Sequence, residues 1–87
     1  MIALLHQSLQ KRMRKYPISM REQIRDRIKL FVKEPFHPLL NNHPLKGKLG
    51  EYRSINITGD YRAVFLEPES GVALFVDVDT HHNLYKS

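Results

Sequence analysis

Residues 51–67 read EYRSINITGDYRAVFLE, and this stretch decides the fold. Ile55 and Ile57 fall on one side of a period of two, with Tyr52, Ser54 and Asn56 on the other, the pattern of a half-buried strand. Thr58-Gly59-Asp60 supplies turn residues. Tyr61 to Glu67 is then apolar on both faces, Ala63 and Phe65 on one and Val64 and Leu66 on the other, which suits a central strand. A second turn at Glu69-Ser70-Gly71 leads into a third apolar run, Val72 to Val78. Three strands joined by two short turns predict an antiparallel meander.

Working outward, Met1 to Leu5 reads as a short first strand. From His6 to Lys15, Leu5, Leu9, Met13 and Tyr16 recur at helical spacing, with Lys11, Arg12, Arg14 and Lys15 on the opposite face. Pro17 ends that helix. Ser19-Met20-Arg21-Glu22 has the form of a capping box that starts a second helix. Met20, Ile24, Ile28 and Phe31 continue as its buried stripe, and Arg21, Arg25, Lys29 and Lys33 stack on its outside. Such a ladder repels itself by a few tenths of a kcal/mol per pair, at about the size that a nearby anion, or Glu22 and Asp26 alongside, would relieve. Pro35 stops the helix, and the prolines, asparagines and glycines of residues 34–50 mark a loop. The expected architecture is a single α+β domain over residues 1–87: an N-terminal strand, a two-helix hairpin, a three-stranded antiparallel meander and a short tail. The helices cover one face of the sheet and leave the other for a site.

Composition narrows the function classes. At 87 residues the chain forms one small core, with 41% hydrophobic and 26% charged residues, ordinary globular usage. It has no cysteine, which removes disulfides and thiolate metal sites and makes a reducing, cytoplasmic setting the expectation. No apolar run reaches membrane-span length, and Met1 to Leu5 is too short, with its basic residues on the wrong side, for a signal peptide. Fourteen Lys and Arg against nine Asp and Glu give a net charge of +5. Residues 1–48 hold 11 basic and 3 acidic side chains, and residues 49–87 hold 3 and 6. This asymmetry fits a polyanion or an acidic partner, and equally a solvated basic helical surface.

Specific motifs begin at the loop. His43-Pro44-Leu45-Lys46-Gly47, then Tyr52-Arg53, then Gly59-Asp60-Tyr61-Arg62-Ala63-Val64-Phe65, then Thr80-His81 with Leu84-Tyr85 occur in that order. Together they resemble the RelE/YafQ-type toxins of bacterial type II toxin–antitoxin systems, within the RelE/ParE superfamily. The resemblance implies a RelE-like microbial RNase-type fold. It implies a small basic endoribonuclease that inhibits translation by cutting mRNA on the ribosome, held inactive by an acidic cognate antitoxin through which alone operator DNA is bound. Carried over residue by residue, it implies catalytic roles for His43, Asp60, Arg62, His81 and Tyr85, and RNA contacts for Lys46, Lys48, Arg53 and Tyr61. The sequence departs from the pattern at Asn56, where YafQ-type toxins carry a histidine, and at Asp79, where relatives commonly have glycine.

Metal-independent RNA cleavage needs a base for the ribose 2′-OH, an acid for the departing 5′ oxygen and cations on the phosphorane. Two histidines and an arginine are suitable groups. Each residue also has a plainer reading. Asp60 beside Gly59 suits a turn, Tyr61 and Tyr85 suit packing, and Arg62 suits a strand edge. Asp77 and Asp79 read as solvated acids near the sheet end. His37, His43, His81 and His82 lack helical ligand spacing, so neither a metal nor another cofactor is expected. Two other functions fit the same outline: a gyrase-inhibiting ParE-like toxin that cuts no RNA, and an inactive relative that retains only an antitoxin surface.

Overall fold

The computed structural model describes residues 1–47 and 50–84, with His81 described by its backbone alone. The expected elements are present: β1 (Ile2–Leu5), α1 (Gln7–Met13), α2 (Ile18–Lys33), and a meander of β3 (Arg53–Asn56), β4 (Tyr61–Glu69) and β5 (Val72–Thr80). Three short elements are additional, the first a single 3-10 turn at Pro38–Leu40 within the expected loop. β2 (His43–Pro44) lies within the expected loop, and α3 (His81–Leu84) replaces the expected tail. The strands form one sheet in the order β1-β5-β4-β3-β2, with β1 parallel to β5 and all other pairs antiparallel.

Local chemistry explains where these elements begin and end. α1 stops at Met13, and its last turn tightens, with the N–H groups of Lys15 and Tyr16 donating to the carbonyls of Arg12 and Met13. α2 does not begin at the expected capping box. Its N-cap is Pro17 and no side chain caps it, so Ser19 lies one residue inside the helix. Proline has no N–H to satisfy and a preset φ, here −56°, which lets the helix start earlier. β2 is too short to carry a period, and Pro44 is tolerated because β2 is an edge strand.

The core lies between the two long helices and the sheet. Phe31 of α2, Phe65 of β4 and Phe75 of β5 are fully buried, with ring centroids 4.9, 5.3 and 5.0 Å apart. Leu9 and Met13 of α1, Ile24 of α2, and Ile55, Ala63, Ala73 and Val78 of the strands surround them. On β5 the pairing shifts from Val64↔Asp77 to Phe65↔Phe75, leaving Val76 as an extra residue. That bulge puts Phe75 and Val78, three positions apart, in the same core.

β1 pairs with β5 only from Val72 to Phe75, so the rest of that edge of β5 needs another partner. α1 supplies it. The Tyr16 hydroxyl donates to the Val78 carbonyl at 2.7 Å, and the Arg12 guanidinium bridges Asp77 and Asp79, at 3.1 Å to the latter. The two acids are therefore ion-paired rather than simply solvated. Burial alone would push the Asp79 carboxyl up. Hydrogen bonds from Asn83, the Thr80 N–H and Arg12, together with the Arg12 charge, outweigh it and hold the group below its ordinary value.

Two stability measurements follow. Phe31→Ala removes one ring of the triangle and is expected to cost about 3–5 kcal/mol in urea unfolding, with Phe31→Leu costing less. Because the folded state favours the Asp79 carboxylate, its contribution is full above the unfolded value of about pH 4 and is lost as pH falls through the lower folded value. Asp79→Asn should therefore destabilise the protein at neutral pH, with the gap from the parent chain closing in acid. A gap independent of pH would contradict this linkage.

Candidate active site on the open face of the sheet

Residues directly opposed across an antiparallel ladder share a face. The register therefore sorts the side chains. Asn56, Arg62 and Asp79 form one row on the face away from the helices, and His43, Ser54, Val64 and Asp77 form the next. His43, Asn56 and Arg62 thus come together from three strands, near the turn of residues 57–60 and the start of α3.

Asn41 adopts the left-handed conformation, φ 46°, which short polar side chains tolerate, and turns the chain into β2. The half-buried His43 ring then meets the Asn41 carbonyl, with Nδ1 2.6 Å from the oxygen. A carbonyl only accepts, so Nδ1 carries the hydrogen and a neutral ring keeps its lone pair on Nε2. Arg62 folds back over the β3–β4 turn, where Nη1 donates to the carbonyls of Thr58, Gly59 and Tyr61 at 3.2, 3.0 and 3.3 Å. Its Nε and Nη2 have no protein acceptor among the described residues. The turn is stabilised by the Thr58 hydroxyl, which accepts the N–H groups of Asp60 and Tyr61. Asp60 is exposed at its tip, and its carboxylate takes no part in those bonds. Ser54 Oγ and Asn56 Oδ1 are buried on β3 without a protein partner.

The other predicted site residues are dispersed. Lys46 is exposed in the segment after β2. Arg53 lies on the helix-facing side, with Nε donating to Asn42 Oδ1 at 2.8 Å and its guanidinium 5.6 Å from the centre of the Phe36 ring. Tyr61 also lies on that side, edge-on to Tyr16 at 6.2 Å and packed against the core. Lys48, Tyr85 and the His81 side chain lie outside the described residues. The sequence position of Arg12 does not single it out, since it is one of four basic residues between positions 11 and 15. The available signal was a pair of acids, Asp77 and Asp79, at i and i+2 with no cation on their own strand. On the open face a cavity of about 240 Å³ lies beside these acids, with Leu45, Tyr52, Val64 and Leu84 in its walls.

A second surface lies on the helical side. A groove of about 420 Å³ runs between β1, α1 and α2, with Leu5, Met13 and Ile28 as apolar walls and Arg14, Arg21, Arg25 and Lys29 as its cations. Among the described residues neither Glu22 nor Asp26 forms an ion pair with them, and Arg21 Nε is buried with no partner. The repulsion in this ladder is therefore not relieved from within the helix. No helix is long and apolar enough to cross a membrane among the described residues.

No protein-family model matches the chain, and no curated protein matches it in sequence. Solved structures do match over nearly the whole length. A YoeB/ParE toxin from Agrobacterium tumefaciens is 27% identical, with 93% of this chain and 99% of that one covered and a TM-score of 0.74. A copper-bound mutant toxin from Helicobacter pylori is 26% identical, covering 97% and 98%, with a TM-score of 0.68. The toxin–antitoxin complex RelBE2 from Mycobacterium tuberculosis matches at 17% identity, covering 92% and 96%, with a TM-score of 0.75. The resemblance carried by the HPLKG, GDYR and C-terminal motifs thus extends to the whole chain, whose fold is that of the RelE/ParE superfamily of toxins.

Proposed function

We propose that this chain is the toxin of a type II toxin–antitoxin system and cleaves mRNA on the ribosome without a metal. The observation that carries the reading is the row arrangement of the open face. A histidine with its Nε2 lone pair available and an arginine with unused donors share that face. In this reading His43 Nε2 takes the proton of a ribose 2′-OH, and the oxygen attacks the adjacent phosphorus. The 5′ oxygen leaves with a proton from His81, giving a 2′,3′-cyclic phosphate and a 5′-OH. Arg62 Nε and Nη2 bind the non-bridging oxygens as charge builds on them. In the same reading Asp60 orients a histidine and Tyr85 stacks on a base. Lys46 and Lys48 hold neighbouring phosphates, while Arg53 and Tyr61 reach RNA only where the strand passes the edge of the sheet. Asparagine does not exchange a proton near neutral pH, so acid–base work rests on the histidines and not on Asn56.

An acidic cognate antitoxin is the proposed partner on the helical side. Its support is the groove with four cations and no ion pair from Glu22 or Asp26, together with the complex in which one structural neighbour was solved. An amphipathic acidic segment matches both the apolar walls and the charge.

The test is induction of the chain alone, followed by mapping of RNA 5′ ends on translating mRNA. Cuts within codons are expected, falling by about a hundredfold or more in His43→Ala and Arg62→Ala. Wild-type cleavage by both variants would remove the mechanism. Growth arrest without cleavage, with inhibition in a DNA-supercoiling assay, would assign the chain to the gyrase-directed ParE-like toxins instead. Neither arrest nor cleavage from a folded protein would mark an inactive relative.

A further inference from the structure

α3 has four residues, far below the length at which a helix holds itself in water. Contacts from outside must fix it, and among the described residues they form one connected chain. Thr80 Oγ1 accepts the Asn83 N–H at 3.2 Å, the bond of an N-cap. Asp79 Oδ1 accepts from Asn83 Nδ2 at 3.1 Å and from the Thr80 N–H at 2.7 Å. The second oxygen of the same carboxylate accepts from Arg12 Nη2 at 3.1 Å, while Arg12 Nη1 is bound to Asp77. Arg12 Nη2 also lies 3.5 Å from the Tyr16 hydroxyl, which is anchored on the Val78 carbonyl. A side chain of α1 is therefore linked, through one carboxylate, to the backbone that opens at His81 and leads on to Tyr85.

We propose that Arg12 is a positioning residue for the C-terminal motif, fixing the first turn of α3 through Asp79 and Asn83. The planar guanidinium suits this task because its fork engages two carboxylates at once, and lysine offers only a point charge. Without Arg12, Asp77 and Asp79 repel each other on one face of the same strand, and Asp79 loses the contact that orients its other oxygen toward Asn83. The helix then retains its Thr80 cap and the place of Leu84 in the cavity wall, but no hydrogen bond from the Asn83 side chain in a fixed direction. The consequence for cleavage rests on the nuclease reading above; the coupling between α1 and α3 does not.

The experiment combines amide hydrogen exchange on the full chain with cleavage kinetics on ribosome-bound message, for Arg12→Ala, Arg12→Lys, Asn83→Ala and the double variant Arg12→Ala/Asn83→Ala. In Arg12→Ala the Asn83 amide should lose about tenfold or more of its protection while the amides of Phe65 and Phe75 keep theirs. Each single alanine variant should lower kcat by about tenfold with KM unchanged, as expected for misplacement of a reacting group. Arg12→Lys should not restore it. The double variant should be no slower than either single one, because both cut the same linkage. Unchanged protection of α3 in Arg12→Ala, or losses that multiply in the double variant, would overturn the proposal. If Arg12→Ala does not fold, the exposed Asn83→Ala decides alone, and an unchanged kcat there overturns it. A parent chain that cuts no RNA, with α3 protection still dependent on Arg12, would overturn the nuclease reading and leave the coupling standing.

Discussion

The triangle of Phe31, Phe65 and Phe75 is the contact on which the rest of the molecule depends. Each ring is fully buried, and each pair meets at a tilted or edge-on angle. Burying a phenylalanine contributes about 1.5–3 kcal/mol, and an aromatic pair adds about 0.5–1.5 kcal/mol. Against a total stability of about 5–15 kcal/mol for a small domain, three such rings are a large share. They also fix direction. With Phe65 and Phe75 turned toward α2, the pleat sends Arg62 and Val64 to the opposite face, and the bulge at Val76 brings Asp77 to that face beside Val64. The helices cannot cover that face as well, so the packing that makes the core also leaves a surface for chemistry.

A second constraint comes from unequal strand lengths. β1 has four residues and β5 has nine, so one edge of β5 is only partly paired. Backbone groups at such an edge need partners, and Tyr16, just after α1, meets the need at the Val78 carbonyl while Arg12 of α1 holds the two acids beside it. An exposed ion pair contributes little stability, about 0–1 kcal/mol, and Arg12 and Asp77 are each more than a third exposed. What the network offers beyond that is geometry. Two acids on one strand face would repel, and a bidentate cation between them turns that conflict into a defined arrangement at the end of the sheet.

How much of this was legible in the sequence follows from the length scale of each signal. The meander and the longer helix have periods that persist over many residues, and Phe31 could be assigned to a buried stripe from position alone, whereas β4 is apolar on both faces and β5 carries a bulge, so the faces of Phe65 and Phe75 could not. β2 and α3 could not be read, because two and four residues are shorter than any period. The capping box at Ser19 was a local match overridden by Pro17, one position before the helix. Motifs selected the candidate residues, but only register says which of them share a face. Hence His43 and Arg62 stand together, while Arg53 and Tyr61, equally basic or aromatic on paper, face the helices. Arg12 was illegible for a different reason: its partners lie 65 and 67 residues away, and nothing local distinguishes it from Lys11, Arg14 or Lys15.

The same register gives Asn56 a physical meaning. It stands beside Arg62 in the row that ends at Asp79, itself held by Arg12. In that row Arg62 supplies the cation, and the Asp79 carboxylate is held below its ordinary value. A histidine in place of Asn56 would put a titrating group directly against Arg62, where its protonated form would be repelled by the neighbouring cation. In the proposed nuclease reading, asparagine leaves the row without a proton-exchanging group, and proton exchange falls to the flanks. One flank is His43, with its tautomer set by the Asn41 carbonyl; the other is the α3 segment that opens at His81. In that reading a division of this kind keeps the phosphate-binding charge fixed while protons move on either side of it, and it requires both flanks to be held in place. The left-handed turn at Asn41 provides that on one side, and on the other the requirement falls on the Arg12–Asp79–Asn83 linkage.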